Sequence, residues 1–116
     1  MSKILIVEDY KDLSDFYQEF LEEDNLFIAS DGDTAVSLYR EYKPDIVFID
    51  LRLPKKNGID AIKEIIQIDP KAKIIAMTAY GSTIRSKALE VGAKEVLRKP
   101  FSLNELKEIM DKYRQI

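Results

Sequence analysis

The chain has 116 residues, 46% of them hydrophobic and 34% charged, with a net charge of −3. That length fits one domain around one core, and the mildly acidic balance excludes a general basic surface for nucleic acid or membrane. Cysteine and histidine are both absent, which excludes a disulfide framework, thiolate metal ligands and the commonest general base, leaving chemistry to carboxylates, hydroxyls, lysines and a hard metal ion.

Strand-like and helix-like segments alternate along the chain. Lys3-Ile4-Leu5-Ile6-Val7 reads as a buried strand and runs straight into Glu8-Asp9. Leu13, Phe16, Tyr17, Phe20 and Leu21 then form an apolar stripe at helical spacing. The connection around Asp24-Asn25 is short, and Asn25 is expected to take a left-handed turn before a second strand near 26–29. Ala35, Val36, Tyr39 and Tyr42 mark the next helix. The third strand, Ile46-Val47-Phe48-Ile49, is apolar throughout and is followed by Asp50, at the start of the loop Leu51-Arg52-Leu53-Pro54-Lys55-Lys56-Asn57-Gly58. Lys55-Lys56 reads as a solvated turn. Ile59, Ile62, Ile65 and Ile66 form a third helical stripe that Asp69-Pro70 stops. The fourth strand, Ile74-Ile75-Ala76-Met77, ends at Thr78. Ile84, Ala88 and Val91 form a helix with Gly92 as its left-handed cap. The fifth strand, near 95–98, turns polar and leads to Lys99-Pro100-Phe101. Ser102 and Glu105 make a capping box for a last helix carrying Leu103, Leu106, Ile109, Met110 and Tyr113.

Five βα units predict an α/β fold: a doubly wound, five-stranded parallel sheet of the flavodoxin-like type. The uniformly apolar first, third and fourth strands belong in its middle. The short second and the polar fifth belong at its edges. Right-handed crossovers then favour the order 2-1-3-4-5. Winding reverses between strands 1 and 3, and ligands bind such sheets outside the carboxyl ends at that reversal. Glu8, Asp9 and Asp50 therefore share one crevice. Three carboxylates without histidine suit Mg²⁺, with Mn²⁺ as a substitute, and the ion would admit a phosphoryl group beside the acids. Asp50 is then a candidate nucleophile that forms an acyl phosphate. Taken singly, Glu8 or Asp9 reads as a solvated or capping acid, Thr78 as a turn residue and Lys99 as a surface charge. Taken together, Thr78 and Lys99 end strands 4 and 5 on the same edge, where a hydroxyl and an ammonium can hold phosphoryl oxygens.

The ordered set Glu8-Asp9, Asp50 with Pro54 and Gly58, Thr78-Ala79 and Lys99-Pro100-Phe101 resembles the response-regulator receiver domain of bacterial two-component systems, over essentially the whole length. The resemblance implies a single receiver domain spanning 1–116, of the stand-alone type, in the cytoplasm. It implies that Asp50 accepts a phosphoryl group from a histidine of a sensor kinase. Asp9, Asp50 and the Arg52 carbonyl would ligate Mg²⁺, with Glu8 acting mainly through water, while Lys99 and Thr78 contact the phosphoryl oxygens. The output would be phosphorylation-dependent binding or relay to a histidine-phosphotransfer protein, and the sequence leaves both open. Tyr10, Lys11, Ser14 and Phe101 rim the crevice as candidates for kinase docking, with Phe101 also readable as a staple under the last helix.

Two departures from the family pattern stand out: Val96 and the short connection around Asp24-Asn25. Val96 occupies the place of the usual switch aromatic. Arg52 and Tyr80, two positions beyond Asp50 and Thr78, predict a long-lived phosphoaspartate. Competing readings are an Asp-nucleophile phosphatase, a nucleotide or flavin module and a degenerate receiver that only binds. Arg52 stands where such phosphatases carry a second acid and cannot serve as one. The loop after the first strand is acidic where a nucleotide module needs glycines.

Overall fold

The computed structural model describes residues 3–8, 25–53, 56–79 and 82–114. Short apolar runs produce five strands: β1 (Lys3–Val7), β2 (Asn25–Ala29), β3 (Ile46–Asp50), β4 (Ile74–Thr78) and β5 (Glu95–Arg98). They pair in parallel as one sheet in the order β2-β1-β3-β4-β5, as the burial pattern predicts. The described helices are α1 (Gly32–Tyr42), α2 (Gly58–Ile68), α3 (Ser82–Val91) and α4 (Leu103–Arg114). The helical stripe expected over 13–21 lies outside the described residues.

Period-two alternation divides the sheet into two buried faces. Leu5, Val7, Val47, Ile49, Ile74 and Ala76 pack with Ala35, Val36 and Tyr39 of α1, Ala61, Ile62 and Ile65 of α2 and Ala88 of α3. Ile4, Ile6, Ile46, Phe48, Ile75, Met77 and Leu97 pack on the opposite face with Leu106 and Met110 of α4. β1, β3 and β4 are therefore buried on both sides. Each fully buried isoleucine contributes roughly 1.5–3 kcal/mol, so these three strands hold the carboxyl edge of the sheet rigidly.

The helix ends are fixed by side chains. Asp31 Oδ1 accepts the Thr34 N–H at 2.8 Å ahead of α1. Asn57 Oδ1 accepts the Asp60 N–H at 2.9 Å ahead of α2. The capping box forms: Ser102 Oγ accepts from Glu105 N–H at 3.1 Å and Glu105 Oε1 from Ser102 N–H at 3.2 Å. Phe101 packs against the cluster that contains Leu106, as a staple does. Asp69 ends α2, and its Oδ2 accepts the buried Tyr39 hydroxyl at 2.9 Å, joining α2 to α1. Gly92 has a φ of +128° after α3.

Two local expectations are corrected. Asn25 lies inside β2 opposite Lys3, because the sheet register extends one residue further than the apolar run does. Among the described residues, the non-glycine residue with a left-handed backbone is Lys43, after α1, at φ 46°, whose N–H donates to the Tyr39 carbonyl before Pro44. Lys56 is not a free turn residue: its ammonium pairs with Glu64 and with Asp33. No described helix is long and apolar enough to cross a membrane.

Candidate functional site

The register sets four polar residues along one edge. Val7 is level with Ile49, Asp50 with Met77 and Thr78 with Arg98. Glu8 follows β1, Asp50 and Thr78 are the last residues of β3 and β4, and Lys99 follows β5. Glu8, Asp50 and Thr78 are buried although all are polar, and burial of that kind requires partners.

Lys99 supplies them for the acids. Its Nζ donates to Asp50 Oδ2 at 2.7 Å, to Glu8 Oε2 at 2.9 Å and to Glu8 Oε1 at 3.1 Å. Backbone contacts hold each participant in place. The Lys99 N–H donates to the Thr78 carbonyl at 2.8 Å, and the Glu8 N–H to the Ala29 carbonyl at 2.9 Å. Asp50 Oδ1, the oxygen not bound to Lys99, accepts the Arg52 N–H at 2.8 Å. The Arg52 side chain is exposed.

This geometry divides the two carboxyls electrostatically. Burial, and then the neighbouring Asp50, push the Glu8 carboxyl up to about 8, against the pull of Lys99. Burial works to raise Asp50 as well, but bonds to Glu8, Lys99 and the Arg52 N–H outweigh it and hold its carboxyl below the usual value. Burial would lower Lys99, yet its bonds to Asp50 and Glu8 keep it above the ordinary lysine value. Asp50 is therefore the ionised member of the pair. Glu8 carries charge that is poorly compensated when ionised, a condition that a divalent cation relieves. The donors are all oxygens, which suits Mg²⁺.

Gly58 allows this arrangement to close. A Cβ there would lie 2.5 Å from the Asp50 carbonyl oxygen and 2.6 Å from the Leu51 Cα. Only glycine lets α2 begin directly against the strand exit, where the Gly58 N–H donates to the Leu51 carbonyl at 3.3 Å.

Of the residues singled out in the sequence, Glu8, Asp50, Thr78, Lys99 and Arg52 meet at this edge. Asp9, Tyr10, Lys11, Ser14 and Tyr80 lie outside the described residues. Among the described residues no group of three or more metal-binding side chains stands together. Val96 is half-buried, level with Ala76, and packs against the first core cluster. The division of charge between Glu8 and Asp50, and the pairing of Lys56, carried no signal in the sequence, because each depends on partners that only the packing of separate elements brings together.

Residues 4–111 match the family model of the response regulator receiver domain. The chain is 40% identical over 116 residues to the protein CcdB of Bacillus subtilis, covering 97% of this chain and 97% of that one. It is 39% identical over 114 residues to the chemotaxis protein CheY of Thermotoga maritima, covering 95% of each. Among solved structures it matches the receiver domain of a sensor histidine kinase from Pseudomonas aeruginosa, which holds a magnesium ion in its active-site cleft. The TM-score is 0.89 and the identity 29%, over 97% of this chain and 96% of that one. With a family model spanning nearly its whole length, the chain belongs to the response-regulator receiver domains, the signalling modules of two-component systems.

Proposed function

We propose that residues 1–116 form a single receiver domain that accepts a phosphoryl group on Asp50 from a phosphohistidine of a cytoplasmic sensor kinase. The observation that carries this reading is the Lys99 ammonium 2.7 Å from Asp50 Oδ2, beside buried Glu8 at the reversal of the sheet. The donor histidine lies outside residues 1–116, which contain none.

Asp9, Asp50 and the Arg52 carbonyl would hold Mg²⁺, or Mn²⁺ in its place, with Glu8 reaching it mainly through water. The bound ion supplies the positive charge that lets phosphoryl oxygens enter among carboxylates. An Asp50 oxygen attacks phosphorus as the donor N–P bond breaks. The bonding pair stays on the histidine nitrogen, which takes up a proton, and the product is an aspartyl phosphate. Lys99 moves its hydrogen bond from Asp50 to a phosphoryl oxygen, and the Thr78 hydroxyl donates to another. The new contacts bias the packing of α3, β5 and α4. With Val96 half-buried on the first cluster, that coupling runs without a flipping aromatic. Arg52, two residues beyond the acceptor, cannot act as an acid or base, so the domain does not turn over an external substrate. The output is phosphorylation-dependent binding or relay to a histidine-phosphotransfer protein.

A sensor-kinase domain carrying labelled phosphohistidine tests the proposal. Label should move to the native chain and not to Asp50→Asn. Onward transfer to a histidine-phosphotransfer protein marks relay, and phosphate-dependent capture without transfer marks a binding output. Equal labelling of the native chain and Asp50→Asn overturns the assignment.

A further inference from the structure

The segment from Leu51 to Asn57 joins Asp50 to α2. Its start is anchored in the core, with Leu51 buried and Leu53 packed against the first cluster. Its end is set by Asn57, which caps α2. Lys56 anchors it sideways. The Lys56 ammonium pairs with Glu64 of α2 and lies 3.5 Å from Asp33 Oδ1 of α1, with only 25% of its side chain exposed. Its backbone is equally close to α1: a Cβ on Gly32 would stand 2.4 Å from the Lys56 carbonyl oxygen. One residue thus ties the acceptor loop to two helices, at Asp33 in the first turn of α1 and at Glu64 in α2.

Between these anchors sits Arg52, the residue that hydrogen-bonds Asp50 from the loop and that would offer a carbonyl to the cation. We propose that Lys56 is a positioning residue for the acceptor site. By bridging Asp33 and Glu64 it holds the loop so that the Arg52 backbone stays over Asp50 before the cation binds. The inference rests on the reading of Asp50 as a Mg²⁺-dependent phosphoacceptor. Groups that orient metal ligands without touching the metal govern its affinity, and a loop held in its bound shape loses less freedom on binding. The bridge is partly exposed, so its effect is on cation affinity more than on folding.

Mg²⁺ titration followed by calorimetry, and phosphorylation by a small phosphodonor across Mg²⁺ concentrations, test it on the full chain. Lys56→Met should weaken Mg²⁺ binding and raise the half-saturating Mg²⁺ about tenfold. Its rate at saturating Mg²⁺ should equal the native rate, and Lys56→Arg should restore the native affinity. The double variant Asp33→Asn/Glu64→Gln, with Lys56 intact, should repeat the Lys56→Met result. Mg²⁺ binding by Lys56→Met as tight as native, or an equal loss of its saturated rate, overturns the role of Lys56 alone. A native chain that binds no Mg²⁺ and gains no phosphoryl group overturns the acceptor-site reading and this inference with it.

Discussion

Glu8→Gln should abolish most of a fall in stability that the metal-free protein shows between about pH 5 and pH 8. The Glu8 side chain is 1% exposed and shares Lys99 with Asp50. Burial first, and Asp50 second, raise its carboxyl from 4.5 to about 8. The folded state therefore holds the Glu8 proton more tightly than the unfolded chain does. Stability from this group is complete below about 4.5 and is lost as pH rises towards about 8. Asp50 is displaced the other way, so its contribution is lost only as pH falls below the ordinary carboxylate range, outside this window. With no histidine or cysteine in the chain, few other side chains titrate there. The interval from 4.5 to about 8, at about 1.4 kcal/mol per pH unit, sets a ceiling of about 5 kcal/mol. Movement of Lys99 and water towards the ionised carboxylate brings the expected loss to about 2–4 kcal/mol. That corresponds to a drop in Tm of about 8–16 °C for a chain of this size. Thermal and urea unfolding, followed by far-UV circular dichroism with a chelator present, measure it. Native stability that is flat or rising across the window refutes the reasoning, as does a Glu8→Gln variant with the native slope.

Gly58→Ala forces a methyl against the Asp50 carbonyl and the Leu51 Cα. It should cost about 1–3 kcal/mol, seen as a lower urea midpoint at unchanged slope, and a native midpoint contradicts the close approach of α2 to β3. Arg52→Asn combined with Tyr80→Glu should release phosphate from phosphorylated protein several-fold faster than the native chain, followed as decay of the phosphorylated mass. An unchanged lifetime removes Arg52 and Tyr80 as protectors of the acyl phosphate.

The sequence made the scaffold legible because its physics is local or repetitive. Uniformly apolar runs identified β1, β3 and β4 as central, and the polar turn at Arg98-Lys99 identified β5 as an edge. The capping box at Ser102 and the stop at Asp69 depend on neighbours three or four residues away, and both formed. Asn25 is a strand residue, not a turn residue, because its register against Lys3 is set by pairing, not by hydropathy. The pairing of Lys56 is hidden for a related reason: its partners stand on two different helices that only packing brings together. At the site, strand ends predicted which residues share an edge. They did not predict that one lysine would bridge both acids, nor that burial would raise Glu8 while hydrogen bonds outweigh burial at Asp50 and lower it. Those properties arise only once three strands are assembled.

The central claim is that Asp50 is a Mg²⁺-dependent phosphoacceptor. Intact-mass measurement after incubation with a small phosphodonor tests it most directly, comparing the native chain with Asp50→Asn, each with and without Mg²⁺. The account predicts the gain of one phosphoryl group on the native chain with Mg²⁺, mapped to Asp50, and little gain in the other three conditions. Equal phosphorylation without Mg²⁺, or on Asp50→Asn, would contradict it.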